Sequence, residues 1–215
     1  MGRRGRLALA VTAAALAAPT AASAAPAPTE VGANGNAFAG GLSFTPPDVT
    51  VPVGGVVRWT NTDYLVPHTA TEDHRLFDLA GDYGATPANP PGFGPGDSVE
   101  WRFAAGTFDY FCEVHPEDMV GTVATPPSVG LRGSKRRLRA AVTWAKEELP
   151  EGQVFDVQRS KAGGPWKKVE DGTEKLKGRY RARRGQTLGF RARVRWADDP
   201  AAASGWSPET AIAIN

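Results

Sequence analysis

Residues 106–123 read GTFDYFCEVHPEDMVGTV, and this stretch decides how the first half of the chain folds. Its first part alternates aromatic and polar residues, the pattern of a half-buried β-strand, and ends near Cys112. His115 and Met119 follow within eight residues of the chain, counted from Cys112. Because a turn after a strand can bring such side chains to one point, the stretch predicts a metal site at a strand end.

The donor types in this stretch narrow the choice of metal. Cys112 is the single cysteine of the 215 residues, so no intramolecular disulfide can occupy it. One thiolate with imidazoles and a distant thioether is the ligand set of blue-copper electron-transfer sites. We assign the second imidazole to His68, which closely follows a strand-like run, residues 56–61. His74 is predicted to be a solvated loop residue beside acidic neighbours.

Two other kinds of site use similar side chains. The same donors could hold zinc tetrahedrally, and Cys112 with His115 could pair as nucleophile and base. We favour copper, since copper(II) outranks zinc in affinity and a weak thioether ligand suits copper better. Nucleophilic cysteines lie in electropositive surroundings, whereas Glu113, Glu117 and Asp118 make this neighbourhood acidic. With every metal position filled by protein, no enzymatic activity is expected.

A family resemblance is carried by four strings: FTPP at 44–47, GGVVRWTN at 54–61, PHT at 67–69, and the stretch quoted above. Together they resemble the plastocyanin and amicyanin branch of the cupredoxins. The resemblance implies one type I copper site with His68, Cys112 and His115 as strong ligands and Met119 as the weak axial ligand. It also implies that Asn61 holds the two ligand-bearing loops together.

The loop between His115 and Met119 departs from the family pattern. It has three residues, one more than in amicyanins and one fewer than in plastocyanins. Glu117 or a backbone carbonyl is therefore an alternative axial donor. The resemblance further implies that the edge of His115 emerges at an apolar surface near Pro67 and Pro116, where a redox partner docks.

The chain is predicted to be exported. Three arginines within residues 3–6 precede an apolar run at 7–18 and the small residues 22–24, the order of a secretory signal peptide. The pair Arg3-Arg4 also occurs in twin-arginine signals, so the route stays open. No later stretch is apolar enough to span a membrane. We expect a periplasmic, extracellular or cell-surface protein.

Charge divides the chain into two domains. Residues 25–124 contain 13 acidic and three basic residues, whereas residues 125–215 contain 10 acidic and 19 basic residues. The predicted organisation is a signal peptide, a flexible lead-in, a copper-binding domain, a linker and a second domain, at 1–24, 25–36, 37–125, 126–134 and 135–215.

These charges also suggest partners. The acidic copper domain should be steered toward a redox partner with a basic docking surface. The basic domain is a candidate platform for an anionic cell-surface polymer, an acidic partner or the copper domain itself. Nucleic acid is not expected outside the cell.

The predicted fold class is all-β. Short strand-like runs separated by turn residues favour a Greek-key sandwich for the copper domain. Residues 52–55 and 104–106 are predicted hairpin turns, and 79–95 a long surface excursion. The predicted core comprises Phe44, Val51, Val57, Trp59, Val99, Trp101, Phe103, Phe108 and Tyr110.

The second domain is predicted to be a smaller sandwich. Its strings VTWA at 142–145, FDVQRS at 155–160, LGFRARVR at 188–195 and SGWSP at 204–208 resemble fibronectin type III domains, with an unrelated small sandwich as the alternative. Residues 190–196 alternate apolar residues with arginines, which predicts a strand with one solvated face.

Two functions are compatible with these features. One is a blue-copper protein that shuttles single electrons and is attached to a surface or partner by its basic domain. The other is a copper-binding protein that buffers or delivers the ion without redox turnover.

Overall fold

The computed structural model describes residues 26–35, 41–81, 92–134 and 137–215. Within these ranges the chain forms 16 strands and no helix, so the all-β prediction is confirmed. The strands are β1 Thr29–Asn34, β2 Ser43–Thr45, β3 Asp48–Thr50, β4 Val56–Asn61, β5 Ala70–Glu72, β6 Asp78–Leu79, β7 Ser98–Arg102, β8 Gly106–Phe111, β9 Val120–Thr125, β10 Ser128–Arg132, β11 Arg139–Thr143, β12 Gln153–Lys161, β13 Lys167–Thr173, β14 Lys177–Arg181, β15 Gln186–Trp196 and β16 Thr210–Ile214. The predicted signal peptide, 1–24, lies outside the described residues.

The first nine strands form a sandwich of two sheets. One sheet has the order β2-β1-β4-β7 and the other the order β3-β9-β8-β5-β6. Strand β1 runs parallel to β4, and β3 runs parallel to β9. The remaining pairs are antiparallel. Because both sheets turn apolar side chains toward each other, they enclose one core.

Aromatic side chains fill this core. Trp59 is fully buried and contacts Tyr110 edge-on at 5.4 Å between ring centroids. Seven of the nine predicted core residues are buried, but Val99 and Trp101 are only partly so. Both lie on β7, an edge strand of its sheet, where one side of the strand has no neighbour to cover it.

The predicted lead-in is wrong in its second half. Residues 29–34 are β1, an inner strand whose Val31 and Ala33 are fully buried. The segment looks like a loop because its residues are small, yet parallel pairing with β4 supplies the backbone hydrogen bonds that a strand requires. The ordered domain therefore begins before residue 37.

The two predicted hairpin turns are also wrong. Residues 52–55 connect β3 to β4, and residues 104–106 connect β7 to β8, and each connection crosses from one sheet to the other. The predicted excursion at 79–95 falls in part on residues 82–91, which lie outside the described residues. In its described second part, Phe93 is buried, whereas Pro95 at its end is exposed.

The second domain is a sandwich of three and four strands, in the orders β10-β11-β14 and β13-β12-β15-β16. All pairs are antiparallel. Strand β10 occupies residues 128–132, so the predicted linker at 126–134 is in large part a strand of this domain. Its backbone pairs with β11 over five residues, which a free linker could not do.

The arginine face of β15 is less solvated than predicted. Arg195 is buried against Asp156, and Arg193 donates to the same carboxylate at 2.9–3.0 Å. Arg191 lies 4.4 Å from the ring centroid of Trp166 and 4.7 Å from that of Trp206. Neighbouring side chains therefore cover this face, which the alternation of residue types could not show.

The two domains contact each other at the start of β8. The backbones of Thr107 and Gly205 exchange hydrogen bonds of 3.0 and 2.8 Å, and Ala105 donates to the carbonyl of Trp144. Gln153 Nε2 donates to the buried carbonyl of Leu76 at 2.7 Å. Since β8 rises about 3.3 Å per residue, the contact between Thr107 and Gly205 lies roughly 17 Å along the strand from Cys112.

In the ranges that the structure describes, no helix is long and apolar enough to cross a membrane.

Candidate metal centre

A tight turn between β8 and β9 carries three of the predicted site residues. Cys112 directly follows β8, and its carbonyl accepts the backbone N–H of His115 at 3.0 Å. The carbonyl of His115 in turn accepts the N–H of Met119 at 3.0 Å. The turn closes where Cys112 N donates to the Met119 carbonyl, also at 3.0 Å. The strand end thus fixes the backbone on which these side chains stand.

His68 comes from a separate loop between β4 and β5. It forms an isolated antiparallel bridge with Phe93, with backbone hydrogen bonds of 3.2 and 2.8 Å. The side-chain amide of Asn61 donates to the carbonyls of Val66 and Phe93, both at 2.9 Å. His68 is therefore held on both sides, by its own loop and by the segment at Phe93.

The predicted role of Asn61 needs correction. Its side chain ties the His68 loop to the Phe93 segment, and its Oδ1 accepts the N–H of Asp63. None of these bonds reaches the Cys112 turn, so Asn61 does not join the two ligand-bearing loops.

Thr69 joins the two loops instead. Its backbone N–H points at Cys112 Sγ, 3.3 Å away, and its hydroxyl accepts the backbone N–H of Glu113 at 2.8 Å. Thr69 is fully buried. Sequence reasoning missed this residue, although its position directly after His68 was the signal that could have identified it.

Three donor atoms converge at the site. His68 Nδ1 and His115 Nδ1 each lie 3.8 Å from Cys112 Sγ. The three potential ligand atoms all lie within 4.8 Å of one another. Across the described residues, this is the only cluster of three or more histidine, cysteine or acidic side chains placed to share a metal ion.

The donors differ in exposure. Cys112, His68 and Met119 are fully buried, whereas His115 is partly exposed. Glu117 is exposed, as is the leftover His74. Among these four donor residues, only His115 is accessible to solvent.

An acidic side chain lies behind the buried imidazole. His68 Nε2 is 3.6 Å from Asp63 Oδ2, and neither atom has a hydrogen-bond partner within the described structure. The other Asp63 oxygen accepts the backbone N–H groups of Tyr64 and Leu65. Burial lowers the pKa of His68, as does nearby His115, while Asp63 acts in the opposite direction.

These features fit a bound metal. Burial and a lowered pKa keep His68 neutral, the form that binds metal ions. A metal bound at Nδ1 would leave the proton on Nε2, which faces the Asp63 carboxylate at 3.6 Å, the arrangement that commonly orients ligand histidines. A thiolate, two imidazoles and a buried thioether are the donors of a type I copper site.

Comparison with known proteins agrees with this chemistry. Residues 31–125 match the family model of copper-binding proteins of the plastocyanin/azurin family. The chain is 34% identical over 89 residues to the plastocyanin of Scenedesmus fuscus, covering 90% of that protein and 40% of this chain. The chain belongs to the plastocyanin/azurin family of copper-binding proteins. The match begins inside β1, which is therefore part of the copper domain.

Two solved structures are also similar to the copper domain. A purple cupredoxin from Nitrosopumilus maritimus is 28% identical, with 45% of this chain and 98% of that chain covered and a TM-score of 0.34. A copper-containing nitrite reductase from Thermus scotoductus is 26% identical, with a TM-score of 0.36. In that case 51% of this chain covers only 24% of the reductase.

Proposed function

We propose that this protein is an exported blue-copper carrier of single electrons, with His68, Cys112 and His115 as strong copper ligands. The observation that carries the proposal is the convergence of His68 Nδ1, Cys112 Sγ and His115 Nδ1 at one buried point. Met119 would be the weak axial donor, an assignment supported by its full burial and by its backbone hydrogen bonds to Cys112 and His115 in the same turn. Glu117, the alternative, is exposed.

Copper, when bound, supplies a one-electron couple between its two oxidation states. The chain's own part is to hold the donors still. Thr69 fixes the distance between the two ligand loops, Asn61 holds the His68 loop, and the β8–β9 turn fixes the rest. A set of ligands that does not rearrange keeps the reorganisation on electron transfer small.

Burial favours an electron carrier over a protein that delivers copper. A delivery site must release its ion to a partner, which requires ligands that are accessible or mobile. Here two of the three strong donors, His68 and Cys112, are fully buried and backed by hydrogen-bonded backbone. A carrier needs exposure only along the path of the electron, and partly exposed His115 provides it.

The redox partner is proposed to dock around His115. Exposed apolar side chains lie at this end of the domain: Tyr64 is 90% exposed and Leu65 68% exposed, in the loop that leads to His68. Pro116, next to His115, is also exposed. Transient redox interfaces are small. The acidic copper domain would attract a partner with a basic docking surface, at rates that fall as salt rises.

The second domain is proposed to be fibronectin III-like and to attach the carrier to a surface or partner. Seven antiparallel strands in sheets of three and four support that fold. Its hydrogen bonds to the copper domain lie at the start of β8 and in the loop between β5 and β6, and none of these bonds involves His115.

The visible spectrum of the copper-loaded protein tests the metal assignment. An intense thiolate-to-copper band near 600 nm is expected for this ligand type, roughly. Cys112→Ser should remove the band while the apo-protein keeps its β-sheet circular dichroism. A wild-type protein that binds copper without this band would contradict the blue-copper assignment.

A second experiment separates carrier from delivery protein. The carrier should cycle reversibly at an electrode and keep its copper in the presence of a competing chelator, whereas a delivery protein should lose it readily. Met119→Leu should alter both the spectrum and the potential. If both stay unchanged, the axial assignment is wrong.

A further inference from the structure

A row of arginines crosses the whole three-stranded sheet of the second domain. Arg132 on β10 lies directly opposite Arg139 on β11, and Arg139 lies directly opposite Arg181 on β14. Directly opposed residues of antiparallel strands point to the same face of a sheet, with Cβ atoms about 5 Å apart. Three guanidinium groups therefore share one side of this sheet.

Two more cations extend the row along β14. Arg179 and Lys177 precede Arg181 by two and four residues, so they lie on the same face. All five side chains are exposed, and we call the set Arg132, Arg139, Lys177, Arg179 and Arg181 the basic sheet face. Across β11, Arg179 and Lys177 oppose Ala141 and Thr143, which carry no charge.

No acidic group compensates this face in the described part of the chain. None of its five side chains takes part in an ion pair, and the one side-chain hydrogen bond runs from Arg132 to the neighbouring carbonyl of Leu131. The arginines of β15 differ, since Arg193 and Arg195 bind Asp156 and Arg191 binds Gln158. The cations of β15 thus have a structural role that those of the basic sheet face lack.

When no anion is bound, the row of arginines lowers the stability of the second domain. Like charges placed directly opposite each other destabilise a sheet. The opposite side of the same strands needs no arginine, because Ala140, Val142 and Ala182 form its buried contact with the domain core. A repeating anion lying across the strands would turn the repulsion into attraction.

The spacing and chemistry of the cations indicate the kind of anion. Cations lie about 5 Å apart across the strands and about 7 Å apart along β14, which suits an extended chain with repeating charges. Four of the five are arginines, whose planar forks bind phosphate oxygens in pairs. The basic sheet face belongs to the second domain, and none of its residues is part of the metal centre.

We propose that the basic sheet face binds an extended, phosphate-bearing polymer and so anchors the protein. This inference deepens the proposed attachment role of the second domain. It does not depend on electron transfer, so a failure to bind polymer with an intact blue-copper spectrum would refute the anchor alone.

Binding of long-chain inorganic polyphosphate to the copper-loaded full chain tests the proposal. Five phosphate contacts should give a slope of log affinity against log salt of about −3.5. In the variant R132Q/R139Q/R181Q the slope should fall to about −1.4, with affinity at low salt reduced at least about tenfold. The visible spectrum should stay as in the wild type, and the melting temperature should not fall, because the variant only relieves repulsion between exposed side chains.

A matched control removes three charges from the other sheet of the same domain. The variant R159Q/K161Q/K167Q has the same net charge as the test variant, and its three residues line a small surface pocket. It should keep the wild-type slope. Equal losses in both variants would show that net charge, rather than the basic sheet face, governs binding, and a larger loss in the control would move the site to that pocket.

Four further probes decide the identity of the occupant. Monomeric phosphate at the same phosphate concentration should compete poorly, because it cannot span several cations. Polyglutamate that binds as well as polyphosphate would overturn the preference for phosphate. Binding only to vesicles of anionic phospholipid would make the face a membrane contact instead. Salt-sensitive dimerisation in place of polymer binding would make the occupant the acidic copper domain of a second copy.

Discussion

The two histidines of the metal centre lie at the same distance from the Cys112 sulfur but differ in burial and in the groups behind them. His68 and His115 each place Nδ1 3.8 Å from Cys112 Sγ. His68 is fully buried and backed by Asp63, whereas His115 is partly exposed in a turn. One imidazole therefore anchors the site and the other connects it to the outside. Four predictions test this difference.

The largest effect is expected from removing each imidazole in turn. His68→Gly and His115→Gly should both abolish the blue absorption, because each removes a strong ligand. Added imidazole should restore the band in His115→Gly, since that cavity opens to solvent. It should not restore the band in His68→Gly, whose cavity is closed. Equal rescue of both variants in absorption titrations would show that the two sides of the site are equally accessible.

Breaking the link between the two ligand loops should have the next largest effect. Thr69→Val keeps the shape of the side chain but leaves the backbone N–H of Glu113 without its acceptor. An unsatisfied group of this kind costs about 1–3 kcal/mol, measured as the free energy of unfolding of the apo-protein. Thr125→Val serves as the matched control, because Thr125 is also fully buried and its hydroxyl has no hydrogen-bond partner within the described structure. An equal or smaller loss in Thr69→Val than in this control would mean that Thr69 does not hold the loops together.

The Asp63 carboxylate, next to His68 Nε2, should lower the reduction potential of the bound copper. Asp63→Asn removes a buried negative charge close to the metal, so the reduced, less positive ion becomes easier to form. The reduction potential should rise by about 60 mV, which corresponds to about 1.4 kcal/mol. Glu117→Gln removes an exposed charge on the other ligand loop and should shift the potential by far less. Cyclic voltammetry measures both, and equal shifts would show that burial of Asp63 does not matter.

The smallest effect concerns pH. Burial lowers the pKa of His68 in the folded apo-protein, whereas in the unfolded chain it keeps the ordinary value near 6.5, roughly. Below that pH the unfolded chain binds the extra proton, so stability should fall as pH falls, by at most about 1.4 kcal/mol per pH unit. Denaturation of the apo-protein at several pH values measures the slope, which His68→Gln should reduce. A slope that this variant leaves unchanged would assign the effect to other groups.

Much of the fold could be predicted from local sequence. Strand β4 follows from strand-forming residues between turn signals, and the structure places it at the predicted residues, 56–61; β8 ends directly before Cys112, as the alternation indicated. Strand β1 could not be predicted in this way, because its glycine and alanine residues carry little strand preference of their own. It becomes a strand through parallel pairing with β4, a partner distant in the chain.

The metal centre likewise has a part that local sequence predicts and a part that depends on tertiary contacts. Cys112, His115 and Met119 are close in sequence, so their convergence needs only a turn, and donor chemistry alone indicates copper. Which residue ties the two loops together depends on the direction of side chains at the strand ends. Asn61 and Thr69 both flank the His68 loop, yet only Thr69 faces the turn.

The class of metal site, the two-domain organisation and the basic character of the second domain can be inferred from residue types and their local spacing. Which cations have partners depends on contacts between residues distant in the chain. The arginines of β15 and those of the basic sheet face look alike in sequence, because both alternate along a strand. They differ because Asp156 and two tryptophans cover the first set, whereas strand pairing aligns Arg132, Arg139 and Arg181 on an open face.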